Sequence, residues 1–291
     1  MASDGEFIMA VKYLSGNRLW GTNAERLALT EPSTYSTTFA DDSDWTLKGG
    51  ATHLVIDESA SKLEFDLTDD DTDEYIHKDL HDADALDGSN ASDTAWVLRY
   101  EMTFSTLNAN TEDNNNAFIV GLYDNSAPTG LVSTGNALTY NTQVNAGFAN
   151  VLSAVDGGSQ EKDDVSNDPF SISTATSTIF YIEIKRVSAD EIEQRVYANS
   201  DYSTGQVLNS SSTMEIDHAK VTGATGLRYL TVKLDCSGAI DNGYTGFIQN
   251  LKFWNGVTTV YPNLPNGSVF ITSDTNVHYM WNGTDTWNEV A

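Results

Sequence analysis

The segment Trp96-Val-Leu-Arg-Tyr-Glu-Met-Thr-Phe104 places a large apolar residue at every second position: Trp96, Leu98, Tyr100, Met102 and Phe104, with Arg99, Glu101 and Thr103 between them. A two-residue period held over this length fits an extended strand with one buried face. It does not fit a helix, whose apolar stripe returns every ~3.6 residues. Strands of the same character are expected at residues 53–56, 63–67, 118–123, 179–187, 192–198, 227–234 and 246–254, with Gly, Asn, Asp and Ser clusters between them as antiparallel turns require. No segment has a clear amphipathic helical period. Residues 69–87 are acidic and irregular, with a short helical turn expected near 80–86, and the polar residues 109–116 are expected to form an exposed loop. The pattern predicts an all-β antiparallel sandwich.

With 291 residues, 40% of them hydrophobic, the chain has enough material for a large single core. Its 42 acidic and 15 basic residues leave a net charge of −27, which repels nucleic acid and anionic membranes, and no basic stripe reverses this locally. Two readings of the acidity stay open. One is a marine or saline setting, where screening shortens the reach of each charge to about 3 Å at 1 M salt. The other is protection of a β-rich surface against aggregation. The single cysteine, Cys236, excludes an internal disulfide and is expected to be a buried, inert thiol. No stretch approaches the ~18 apolar residues of a membrane span, so no membrane insertion is expected. The first residues carry acid where a secretion signal needs base, which predicts synthesis in a host cytoplasm without such a signal.

Three sections are expected. Residues 1–34 form an N-terminal arm and linker, with apolar Phe7, Ile8, Val11, Tyr13 and Leu14, a Ser15-Gly16-Asn17 turn, and then Leu19-Trp20. Residues 35–257 hold the sandwich. Residues 258–291 read as short strands joined by Asn-Gly turns, a tail too small to fold alone. Arm and tail are expected to dock on a particle, on a sister subunit or on the chain's own sandwich.

Within the central section, Phe39-Ala-Asp-Asp-Ser-Asp-Trp45, Phe180-Tyr-Ile-Glu-Ile-Lys-Arg186, Val196-Tyr-Ala-Asn-Ser-Asp-Tyr202 and the closing Gly246-Phe-Ile-Gln-Asn-Leu-Lys-Phe-Trp254 resemble, in this order, a concanavalin A-like (laminin G-like) jelly roll. In that family a Gly-x-Ile-x-x-Leu/Val-x-Phe/Trp strand completes the sandwich. The tail, with Pro265-Asn-Gly267 and Asn282-Gly-Thr-Asp-Thr-Trp287, resembles short C-terminal elements of phage and archaeal-virus structural proteins. These resemblances imply a virion surface protein on a lectin-like jelly roll: a capsid decoration, fibre or receptor-binding component. Its partners would be other virion proteins, copies of itself as a homo-oligomer, and a cell-surface glycan. A carbohydrate-binding lectin module is the alternative, and a polysaccharide hydrolase or lyase a third reading.

Retaining glycosidases of the fold carry Glu-x-Asp-x-x-Glu, with carboxylates about 5 Å apart, and the chain lacks that motif. Glu101, Glu183, Glu191 and Glu193 lie on predicted strands beside Arg99, Lys185 and Arg195, a pattern that predicts solvated cross-strand ion pairs. The sequence contains neither a phosphate loop nor a serine elbow, and the expectation is a non-enzymatic protein. His77-Lys-Asp-Leu-His81 has metal-ligand spacing for a helix but lacks the glutamate of zinc hydrolases, so a solvated loop is the expectation. The resembled fold holds calcium at a sandwich edge and would bring Asp41, Asp42 and Asp44 near Asp241. These form the candidate calcium set, with residues 69–74 as a second candidate, although all are also turn formers. Tyr75, Tyr140, Tyr202 and Tyr244 have loop-like contexts and could offer a ring to a sugar, while Trp45, Trp96 and Trp254 are expected in the core. No glycan site is assigned.

Overall fold

The computed structural model describes residues 12–14, 18–23, 26, 33–47, 52–67, 73–82, 85–107, 117–127, 136–145, 147–156, 159–164, 177–189, 192–200, 202, 216–218, 224–235, 244–258, 260, 267–282 and 287–290. The expected loop at 109–116, Cys236 and Asp241 lie outside these residues. In chain order the strands are β1 (Lys12–Leu14), β2 (Arg18–Gly21), β3 (Tyr35–Thr37), β4 (Thr46–Leu47), β5 (Leu54–Asp57), β6 (Lys62–Asp66), β7 (Asp73–Asp79) and β8 (Trp96–Leu107). There follow β9 (Ala117–Tyr123), β10 (Ala137–Asn145), β11 (Gly147–Asp156), β12 (Ser159–Asp164), β13 (Ile179–Arg186) and β14 (Ile192–Tyr197). The last are β15 (Ile216–His218), β16 (Tyr229–Asp235), β17 (Tyr244–Asn255), β18 (Val269–Thr272), β19 (His278–Trp281) and β20 (Trp287–Val290). They fall into two compact units: Ser33–Thr258, and a smaller one made from both ends of the sequence, Met1–Pro32 with Thr259–Ala291.

The larger unit is an antiparallel β-sandwich of the jelly-roll, lectin-like type. One sheet has the order β15-β14-β13-β8-β17-β6-β5, with β3 also paired to β17, and the other the order β12-β11-β10-β9-β16-β7-β4. The alternation at Trp96–Phe104 does what its period requires. Trp96, Leu98, Tyr100, Met102 and Phe104 are at most 1% exposed and join one core with Phe118, Val120, Leu122, Leu230, Val232 and Leu234 of the facing sheet. Burying such side chains contributes about 1.5–3 kcal/mol each, the main force holding the sheets together.

β17 shows how a strand can break its own alternation. Gly246 and Ile248 point inward, and so do Leu251 and Phe253, which places one extra residue between the two pairs. Gln249 faces Glu101 and Lys252 faces Arg99, so three steps on β17 match two on β8, and Asn250 in the bulge has φ of 52°. The doubled spacer in Gly-x-Ile-x-x-Leu is this bulge. It turns Trp254 to the outer face, where the ring is half-buried, rather than into the expected core. Gly246 is constrained by space: a Cβ there would lie 2.3 Å from the Thr103 carbonyl oxygen and 2.6 Å from the Phe65 ring.

Within the acidic segment 69–87, which was expected to be irregular, residues 73–79 form the strand β7. It is held by a full ladder with β16, from Tyr229↔Asp79 to Asp235↔Asp73. Cross-strand pairing here overrides low β propensity, because Ile76 and Tyr75 are buried in exchange. Residues 79–82 and 85–89 follow in turns, with Ala85 N–H donating to the Asp82 carbonyl and Leu86 N–H to that of Leu80. Lys78 is 2% exposed, its ammonium donating to Asp82 at 3.0 Å and lying 5.4 Å from the centre of the Tyr35 ring.

Glu74 clamps the two sheets. From β7 its carboxylate accepts the backbone N–H groups of Thr52 at 2.9 Å, His53 at 2.8 Å and Leu54 at 2.9 Å, at the head of β5 in the other sheet. The His53 ring adds a contact at 3.0 Å.

The smaller unit is a five-stranded sheet of order β1-β2-β18-β19-β20, in which β2 and β18 pair in parallel, from Val269↔Arg18 to Thr272↔Gly21. One face buries Leu19, Phe270, Trp281 and Trp287, with the Trp281 and Trp287 rings 5.4 Å apart. The Arg26 guanidinium lies 3.8 Å from the centre of the Tyr279 ring, and Asp274 accepts the Asn23 N–H at 3.2 Å. The arm and tail thus pair with each other.

Burial alone would raise the Glu74 carboxyl, but the three N–H groups and the His53 ring outweigh it and hold the group below its ordinary 4.5. A depressed carboxylate contributes stability that is complete above the unfolded value and fades as pH falls through the lower folded one. Glu74→Ala should lower unfolding free energy by about 3 kcal/mol at neutral pH, since three donors lose a charged acceptor. In urea melts from neutral pH downward, the wild-type advantage over Glu74→Gln should shrink below pH 4.5. An advantage unchanged with pH would contradict the clamp.

Candidate functional site

The residues of β8 that face away from the core meet their counterparts in register. Glu183 lies opposite Arg99 and Tyr181 opposite Glu101, and on the next strand Arg195 lies opposite Glu183 and Tyr197 opposite Tyr181. On the other side, β17 contributes Gln249 beside Glu101 and Trp254 beside Val97. The sheet therefore presents rows of alternating charge, bordered by aromatic rings.

At the centre, Arg99 and Glu183 are each only 4% exposed. Arg99 Nε donates to Glu183 Oε2 at 2.7 Å, and Nη2 donates to the same oxygen. The expectation of solvated ion pairs fails here because aromatic side chains cover the pair. The Tyr202 ring lies 4.5 Å from the guanidinium and Trp254 5.7 Å from it, both within reach of cation–π attraction. Tyr202 has φ of 51° and sends its hydroxyl to the Tyr100 carbonyl at 3.3 Å. Tyr181 and Tyr197 contact its edges at 5.7 and 5.9 Å.

Around this centre the groups are half-buried. Glu193 accepts from Lys185 at 2.6 Å and from Arg195 at 3.0 Å, and Gln249 donates to Glu101 at 2.7 Å. Burial pushes the phenols of Tyr202, Tyr197 and Tyr181 above the ordinary tyrosine range, with Glu183 adding to the effect at Tyr197 and Glu101 at Tyr181. All three therefore stay protonated at neutral pH. The face combines fixed donors and acceptors with ring surfaces, while Glu183 and Glu193 are committed to cations.

The other sequence candidates are placed differently. Asp41, Asp42 and Glu58 are exposed, with one carboxylate oxygen from each within 4.8 Å of the others. Asp41 already accepts the Ser43 N–H at 2.8 Å, which holds its carboxyl low, and Glu58 accepts the Asp42 N–H at 3.0 Å. Calcium takes roughly six to eight oxygens, from carboxylates, carbonyls and waters together, and these three carboxylates would supply part of such a set. Asp44 points elsewhere, 3.9 Å from the Lys78 ammonium. His77 and His81 do not converge. His77 is buried on β7 between Tyr75 and Tyr229, burial lowering its pKa against the pull of Asp79, whereas the His81 ring bonds Asn90. Tyr75 and Tyr244 are buried on strands, and Tyr244 Oη accepts the Phe118 N–H at 3.1 Å. Tyr140 lies on β10, and Tyr202 keeps its place outside the strands. Tyr181, Tyr197 and Trp254 were not singled out for this face. The first two are outward positions of adjacent strands, legible once the register is known, and Trp254 needs the bulge.

Breaking one half of a buried pair strands a charge, at a cost of about 3–5 kcal/mol, whereas replacing both halves with apolar groups is often neutral. Glu183→Ala should therefore destabilise by about 3–5 kcal/mol in equilibrium urea unfolding, and Arg99→Met with Glu183→Leu should recover most of that loss. Additive losses in the double variant would contradict the burial of the pair.

No protein-family model matches this sequence, and no curated protein matches it. Among solved structures, the chain is similar to the CBM2 module of the evolved Dit of Lactobacillus casei BL23 phage J-1, with 12% identity over 78% of this chain and 97% of that one and a TM-score of 0.50. It is also similar to the Emp47p carbohydrate recognition domain (14% identity, 77% and 96% covered, TM-score 0.47). A third similar structure is arcelin-5, a lectin-like defence protein from Phaseolus vulgaris (13% identity, 75% and 96% covered, TM-score 0.45). At such identities the likeness is one of fold, and the fold is the lectin-like jelly roll.

Proposed function

We propose that this chain is a non-enzymatic, glycan-binding protein of a virus-particle surface, displaying a lectin-like sandwich toward a host-cell glycan. The observation that carries the reading is the outward face of β8, β13, β14 and β17. There Tyr181, Tyr202 and Trp254 surround an ion pair and stand beside the hydrogen-bonded Glu101 and Gln249. Sugars are bound by such pairings: apolar C–H faces stack on rings while hydroxyls exchange hydrogen bonds with groups already held in place. Preorganisation lowers the entropy lost on binding. The commitment of Glu183 and Glu193 to cations supports binding over acid–base chemistry.

The particle-surface part of the proposal draws support from the likeness to a phage Dit module. A surface with net charge −27 protects a displayed β-rich domain against non-specific aggregation. In this reading the chain is made in the host cytoplasm, assembles with other virion proteins and copies of itself, and meets glycans after release.

A glycan array should return a ligand class. Against it, Tyr181→Ala and Trp254→Ala should each lose at least about tenfold in affinity, ~1.4 kcal/mol, with the melting temperature of Tyr181→Ala close to wild type. An array without signal, or variants that bind like wild type, would remove the glycan face. Immunogold imaging of intact particles should place the chain on their surface, and unlabelled particles would remove the virion role.

A further inference from the structure

The five-stranded sheet of the smaller unit has a second face that its own core does not use. Opposite Leu19, Phe270, Trp281 and Trp287, the alternation turns Arg18 and Trp20 of β2, Val269 and Ile271 of β18, His278 and Met280 of β19, and Asn288 and Val290 of β20 outward. Met280 and Val290 are each 40% exposed, two of the five large apolar side chains at least 36% exposed among the described residues. Arg18, Val269, Ile271, His278, Met280 and Val290 line a groove of about 220 Å³. Leaving apolar surface in water forgoes about 25 cal/mol per Å², so covering the Val269, Ile271, Met280 and Val290 side chains is favourable.

Size and charge define the occupant. Four strands about 4.8 Å apart, crossed by some 10–13 Å of strand length, give a face of roughly 200 Å². Stable globular interfaces need roughly 800 Å² per partner, so the groove suits a short segment better than a second folded surface. The eight outward residues include no carboxylate, in a chain with 42 acidic residues. Arg18 is exposed at the groove wall, and its guanidinium can take a carboxylate through two parallel hydrogen bonds. His278 supplies a further ring N–H. We infer that this face docks a short protein segment carrying alternate apolar side chains and a carboxylate, the apolar groups entering between Val269, Ile271, Met280 and Val290 and the carboxylate meeting Arg18. A second folded copy of this chain needs a larger face than this one offers.

The test is selection of linear random peptides displayed on phage against the immobilised full chain, followed by affinity measurement with the synthetic consensus peptide. Wild type should enrich alternating apolar residues with an Asp or Glu. Met280→Asp should weaken the consensus peptide by about tenfold or more, and Val290→Asp should do the same if Met280→Asp unfolds the small sheet. Arg18→Glu, which leaves the apolar face intact, should shift the selected charge from acidic to basic. No enrichment over Met280→Asp, enrichment without an acidic residue, or a selection unchanged by Arg18→Glu would each overturn the inference. So would dimerisation of wild type in light scattering that Met280→Asp abolishes, because the face would then belong to a second copy.

Discussion

Two sheets of a sandwich touch only through side chains, so the structure depends on keeping the apolar set of every central strand on the same side. β8 does this with an unbroken alternation from Trp96 to Phe104, and its neighbour β17 does it only by inserting a bulge at Asn250. Without the extra residue, Leu251 and Phe253 would point to the outer face and Trp254 inward. The bulge keeps the inner face apolar across both halves of β17. Its by-product is a tryptophan on the outer face, at the place where Arg99 needs cover.

That outer face follows from the same constraint. Once the inner residues are fixed, Arg99, Glu183 and Arg195 must lie side by side, because antiparallel register leaves them no other position. Three charges in a row on a sheet would be ordinary if wet. Here Tyr202 and Trp254 exclude water, the charges are held in one arrangement, and a row of ion pairs becomes a rigid polar surface with aromatic borders. Glu74 plays a comparable part at the sandwich edge, where one carboxylate gathers the backbone donors at the start of a strand in the opposite sheet.

Much of the sandwich was legible along the chain because half-buried strands announce themselves by period. The predicted strands at 53–56, 63–67, 96–104, 118–123, 179–187, 192–198, 227–234 and 246–254 each correspond to an observed strand within a few residues. β7 was not legible: an acidic run has little β propensity, and pairing with β16 and β4 makes it a strand. The strands β10, β11 and β12 were likewise missed. Of the candidate site, the charges on β8, β13 and β14 were visible as a cross-strand pattern, but their burial was not. Burial depends on Tyr202, which is 103 residues from Arg99 and carries no local signal of where its ring will rest.

The sequence by itself determined that the chain is all-β, that the strands of its sandwich are antiparallel with one apolar face, and that its surface is strongly acidic. Those properties depend on neighbouring residues and on totals, and both can be read in one dimension. Only the tertiary structure decided which polar residues are dry, which tryptophan faces outward, and that β2 pairs with β18 to join the two ends of the chain in one sheet. The physical reason is that register and burial are set by contacts between segments far apart in the sequence, where a shift of one residue exchanges the two faces of a strand.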